Sequence, residues 1–125
     1  MAGMLLLTYN LDEGTTQRLQ TLCQRQGIRY RAVAPSEYAL PIGALAGIPV
    51  SKAAKVGLNA YFSDPMLVMC HMLSPQLDAF LRGMREEGVP RIPLKAILTP
   101  SNVTWNSLQL RDELAREHEA MNKRV

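Results

Sequence analysis

Apolar and polar residues change period along this chain in a recurring order, and that order predicts a layered α/β domain. Met4-Leu5-Leu6-Leu7-Thr8-Tyr9 is an apolar run too short for a helix, and Asn10-Leu11-Asp12 closes it with a turn-and-cap signal, so it reads as a buried strand. From Asp12 to Gln26 the apolar residues Leu19, Leu22 and Cys23 fall on one helical face, with Asp12 as the cap and Gly27 as the stop. Ile28 to Val33 alternates apolar with cationic residues, the period of a strand wet on one face or lying at an edge, and Pro35-Ser36 ends it.

Prolines 35, 41, 49 and 65 and glycines 43, 47 and 57 break the periodicity of the next stretch. Ile42, Ala44 and Leu45 permit a short helix, Lys52 to Leu58 another turn or two, and Asn59 to Asp64 a loop carrying Tyr61 and Phe62. A second buried strand is predicted at Met66 to Met72. Ser74 as N-cap and Pro75 at the first helical position then open a helix with Leu77, Phe80, Leu81 and Met84 inward, closed by Gly88. Ile92 to Leu98 is the fourth strand candidate. The capping box Asn106-x-x-Gln109 opens a last helix, with Leu110, Leu114 and His118 on one face, that runs to about Asn122.

The two halves align. At an offset of 62, Met4 to Leu7 match Met66 to Met69, Asp12 matches Ser74, and Leu19 and Leu22 fall on Leu81 and Met84. Further on, Pro35-Ser36 matches Pro100-Ser101, and Glu37 and Leu40 stand opposite Asn102 and Trp105. One domain over residues 1–125 follows, with an N-terminal half-repeat over about 4–47, a connecting segment over 48–65 and a C-terminal half-repeat over about 66–121. The continuously apolar first and third strands suit the centre of a sheet; Arg29, Arg31 and Lys95 suit its edges. Helical crossovers then predict a four-stranded, mainly parallel sheet in the order 2-1-3-4, with helices on both faces. A ferredoxin-like sandwich is the alternative.

Composition narrows the function classes. At 125 residues and 47% apolar, the chain can bury one core without metal or disulfide staples. The net charge of +3 could invite an acidic partner, but the fourteen Lys and Arg are interspersed with eleven acids. Nucleic-acid binding, through Arg18, Arg25, Arg29 and Arg31, is therefore the least favoured function. The first residues lack the basic start and cleavage site of a signal peptide, and no run is long enough to cross a bilayer. Cys23 and Cys70 sit among apolar neighbours as reduced core thiols do, which places the protein in the cytoplasm.

In a parallel sheet the default ligand crevice lies beyond the carboxyl ends of the central strands. Asn10, His71, Thr99, Ser101, Asn102 and Trp105 are its candidate ligand-binding residues. No Gly-rich phosphate loop follows either strand, and Asp12 already puts a negative charge where a phosphate would sit, so no nucleotide or other cofactor is expected. Cys70 and His71 are strand neighbours on opposite faces and cannot act together as nucleophile and base. Cys23, Cys70, His71 and His118 lack metal-ligand spacing, so no metal is expected. Trp105 reads first as a seal between sheet and helix, with Ser101 and Asn102 closing local turns; an exposed Trp105 would favour a ligand contact.

The segment Leu94-Lys95-Ala96, Thr99-Pro100, Asn102 and Trp105, followed by a helix carrying Glu117-His118, resembles a family of small bacterial proteins known as a domain of unknown function. The resemblance spans about residues 65–119 and implies no activity. With no catalytic signal in the chain, the expected function is a non-catalytic binding or regulatory module acting through protein contacts, including a homodimer joined by edge strands or the last helix. A small enzyme or a sensor of a small molecule in the strand-end crevice is the alternative.

Overall fold

The computed structural model describes residues 3–50 and 61–122. The expected turns at Lys52 to Leu58, and the first residues of the following loop, lie outside them. The strands are β1 (Leu5–Tyr9), β2 (Arg29–Ala32), β3 (Met66–Cys70) and β4 (Leu94–Ile97). The helices are α1 (Glu13–Gln26), α2 (Ile42–Leu45), α3 (Ser74–Glu86) and α4 (Ser107–Asn122).

The caps explain the helix boundaries. Asp12 Oδ1 accepts from the Thr15 N–H at 2.7 Å, and the same bond holds its carboxyl below the ordinary range. At the other end of α1, Gly27 adopts a left-handed conformation, φ 72°, that a side chain would resist. In α3 the N-cap is Leu73, not Ser74: the Gln76 side chain accepts from the Leu73 N–H at 2.8 Å, and Ser74 becomes the first helical residue. The box predicted for α4 forms as a reciprocal pair, Asn106 N–H to Gln109 Oε1 at 2.9 Å and Gln109 N–H to Asn106 Oδ1 at 2.8 Å.

The four strands form one mixed sheet in the order β2-β1-β3-β4. Every residue of β1 and β3 is buried. On one face Leu6, Leu67 and Met69 pack under α1 and α3 with Leu19, Leu22, Cys23, Phe80 and Met84. On the other, Leu5, Leu7, Tyr9, Met66, Val68 and Cys70 pack under α2 and α4 with Ile42, Leu45 and Leu110. Helices cover both faces, so the ferredoxin-like alternative does not form. The cost of burying a charge confines Arg29, Arg31 and Lys95 to the outer strands.

The two outer pairings, β1 with β2 and β3 with β4, are parallel, but β1 and β3 run antiparallel, with Leu7 opposite Val68. The cause lies in the crossovers. Helices α1 and α3 share one face and touch. Right-handed connections leading to opposite edges can leave their helices on one face only if the two βαβ units run in opposite directions. The α1–α3 contact is close: a Cβ on Gly83 would lie 2.5 Å from Leu22 Cδ1.

The strand match at an offset of 62 is also corrected. It would equate Leu5 with Leu67, which faces the other core; at 61, Leu5, Leu7 and Tyr9 correspond to Met66, Val68 and Cys70, which share theirs. The same 61 relates Asp12 to Leu73, Leu19 to Phe80 and Gly27 to Gly88. From the edge strands onward the interval becomes 65, Arg29 pairing with Leu5 where Leu94 pairs with Met66. The Val33 N–H bonds Thr8 O where the Leu98 N–H bonds Met69 O, and Ala34 N–H bonds Glu37 Oε1 where Thr99 N–H bonds Asn102 Oδ1.

Candidate functional site

Antiparallel central strands separate what a parallel sheet would gather. Asn10 follows β1 at one pole of the sheet, and His71 follows β3 at the opposite pole, together with Thr99, Ser101 and Asn102. No common crevice joins Asn10 to the others. Asn10 (φ 57°) and His71 (φ 62°) are, among the described residues, the non-glycine positions with left-handed backbone. Each turns the chain sharply out of a central strand.

At the first pole the Asn10 amide donates to Phe62 O at 2.9 Å and Asp64 O at 3.0 Å, and its oxygen accepts from the Tyr38 hydroxyl at 3.3 Å. Tyr9, Tyr38 and Phe62 form an aromatic cluster beneath it, with the Tyr38 and Phe62 rings stacked at 4.7 Å. Burial pushes both phenols above the ordinary phenol range, so they serve as neutral hydrogen-bonding groups. Arg111 ties Asp64 to α4, Nη2 to Oδ1 at 2.9 Å. Both donors of Asn10 are spent on backbone carbonyls, and the residue works as a loop clamp.

At the second pole His71 Nε2 lies 3.1 Å from Ala46 O. His71 and Thr99 border an open groove of about 310 Å³ with Ile48, Ile97, Leu98 and Val103. Asn102 is buried and turned inward: it accepts from Thr99 N–H at 2.9 Å and donates to Ile97 O at 3.1 Å. Ser101 is exposed. Trp105 is half-buried against the core, and its carbonyl accepts from the Ile42 N–H at 2.7 Å. Asn102 thus closes a turn and Trp105 packs against the core, while His71 and Thr99 reach a cavity. Ile48 and Val103 complete that cavity without any sequence signal, because only the meeting of two loops brings them together.

Burial pushes both thiols up to about 12, which keeps Cys23 and Cys70 protonated at neutral pH. Among the described residues no three of His, Cys, Asp and Glu stand close enough to hold a metal ion. The arginines considered for nucleic acid are divided. Arg18 and Arg25, on α1, donate to Glu87, whereas Arg31 on the opposite face pairs with Glu37 and donates to Leu45 O at 3.0 Å. No helix among the described residues is long and apolar enough to cross a membrane.

Fold and site together define a small mixed α/β domain with helix-covered central strands, two separated poles and shallow grooves. Residues 65–121, the segment from β3 through α4, match the model of a family described as a domain of unknown function (DUF3783). No curated protein matches the chain, and no solved structure matches it.

Proposed function

We propose that this chain is a non-catalytic binding or regulatory module that works through protein contacts made by α4 and the neighbouring edge of β4. The observation that supports this is how little of α4 the domain itself uses. Among its described side chains only Ser107 and Leu110 are buried; Leu108, Leu114 and Ala115 lean on the sheet. From Arg116 to Met121 every residue but His118 is exposed, Met121 at 70%. A helix gains most of its stability in water from packing, so two outer turns with so little packing are a natural seat for a partner. Beside it, β4 is the last strand of the sheet, and its outer edge is unpaired among the described residues.

A duplication of one βαβα unit accounts for the asymmetry. The constant intervals of 61 and 65 support it, as does the isolated bridge between Pro41 and Asn106, residues that the second interval pairs. On that reading α2 is the first turn of a helix that the second unit keeps whole as α4, with Leu45 and Leu110 as the corresponding buried residues.

Site-specific photo-cross-linking in cells tests the proposal. A cross-linker at Met121 should join the chain to a defined protein, a second copy included, whereas one at exposed Thr21 on α1 should not. Equal labelling from both positions, or none from Met121, overturns the reading.

A further inference from the structure

Asn10 and His71 hold corresponding places, one residue past β1 and β3, and both take left-handed backbone. Their side chains do different things. The Asn10 amide engages both its oxygen and its nitrogen within the fold, on Tyr38, Phe62 and Asp64. His71 engages one ring nitrogen: Nε2 lies 3.1 Å from Ala46 O, and Nδ1 has no partner among the described residues. A carbonyl oxygen can only accept, so Nε2 carries the ring proton, and in the neutral ring Nδ1 is left with its lone pair. Thr99, on the same groove, has the complementary capacity. Its Oγ1 accepts from the Asn102 N–H at 3.3 Å, and no acceptor among the described residues takes its hydroxyl hydrogen.

The other walls are apolar, with Ile48, Met72, Leu98 and Val103 among them, and no Lys, Arg, Asp or Glu of the described residues borders the groove. Its volume of about 310 Å³ is at the small end of the range for ligand pockets, whose usual form is an apolar wall with a few polar groups that fix orientation. We propose that this groove binds a small neutral molecule with an apolar body and a head group that both donates and accepts, a hydroxyl or a primary amide. His71 Nδ1 accepts from the head group and the Thr99 hydroxyl donates to it, while the body lies on Ile48, Leu98 and Val103. A ketone or an ether of the same shape leaves Nδ1 desolvated without a donor, and that unmade bond is the source of selectivity. The site goes beyond the protein contacts proposed for α4, and either reading can fail without the other.

Titration of the isotope-labelled full chain with matched probes, followed by amide chemical shifts, tests it. Benzamide is paired with acetophenone and benzyl alcohol with anisole, the second of each pair having the same size and no donor. Benzamide and benzyl alcohol should give saturable shifts at His71, Leu98, Thr99 and Val103, and their donor-free partners should bind about two- to tenfold more weakly. Thr99→Val, which keeps the side-chain shape, should weaken all four probes. His71→Gly, which keeps the turn, should erase the preference within each pair, an effect that a purely structural histidine would not produce. No saturable shift at these residues from either donor-bearing probe overturns the proposal, as does equal affinity within both pairs or a preference that survives in His71→Gly. The comparison between probes needs no variant, so a substitution that disturbs folding leaves the outcome decided.

Discussion

The hydroxyl of Tyr9 lies 2.7 Å from that of Ser107, both side chains buried, and this bond ties the end of β1 to the first turn of α4 across 98 residues of sequence. Enclosed in the core, neither group has water as a substitute. Ser107→Ala leaves the phenol without this partner and should cost about 1–3 kcal/mol. Tyr9→Phe, which leaves the serine hydroxyl alone, should fall in the same range. Because each single variant orphans the other's partner, the double variant should cost less than the two combined, a result that urea unfolding of all four proteins would read. Full additivity would mean that the two hydroxyls are not coupled.

Two glycine replacements should move stability in opposite directions. A Cβ on Gly43 would stand 2.4 Å from Val103 Cγ2 and 2.9 Å from the Val103 carbonyl oxygen, which accepts from the Gly43 N–H at 2.9 Å. Backbone cannot swing aside as a side chain can, so Gly43→Ala should destabilise by about 1–3 kcal/mol or more. On α1, a Cβ at exposed Gly14 meets nothing nearer than Asp12 Oδ1 at 3.7 Å. Gly14→Ala should stabilise by up to about 1 kcal/mol through helix propensity. Thermal melts of the two variants beside the parent protein give the signs directly.

The left-handed turn at His71 admits a sharp comparison. His71→Gly gives up the Nε2 contact to Ala46 but relieves the backbone, and should leave stability within about 1 kcal/mol of the parent. His71→Val forces a β-branched residue into φ near 62° and should lose more, on the order of 1–3 kcal/mol. If valine were tolerated as well as glycine in chemical denaturation, the turn would carry no strain.

The two thiols predict both reactivity and an alkaline limit. Held protonated to about pH 12 in the fold, Cys23 and Cys70 should resist a thiol reagent at pH 8 and react once denaturant opens the core. Above about pH 9 the unfolded chain loses thiol protons that the folded chain retains, so stability falls as pH rises from there towards 12. Denaturant midpoints measured across that window should fall less steeply for Cys23→Ala/Cys70→Ala than for the parent. An identical slope would assign the alkaline loss to other groups, such as the buried phenol of Tyr9.

Much of the fold is legible in the chain because its signals are local. Leu5 to Tyr9 and Met66 to Cys70 are apolar on both faces and must be central; Asp12, Gly27, Asn106 and Gln109 mark helix ends through bonds made within a few residues. The direction of β3 relative to β1 is not local. It follows from α1 and α3 sharing a face, and neither helix announces which face it will take. The candidate site depended on that direction, so Asn10 separates from His71 although each sits at a strand end as expected. Nor is the face of each strand residue local: only the fold puts Leu5 and Met66 in one core, and the interval of 61 that follows brings Asn10 onto His71, the two left-handed non-glycine positions among the described residues.

The antiparallel seam between β1 and β3 also makes the molecule bipolar. A change in the loop after β1 is felt around Asn10 and the aromatic cluster, and one in the loop after β3 around His71, with the buried pair Leu7 and Val68 as the pivot between them. Substitution at one pole is therefore insulated from the other by a packed sheet. The loops after β1 and β3 are thus unlike ends of one sheet, each free to carry its own side chains.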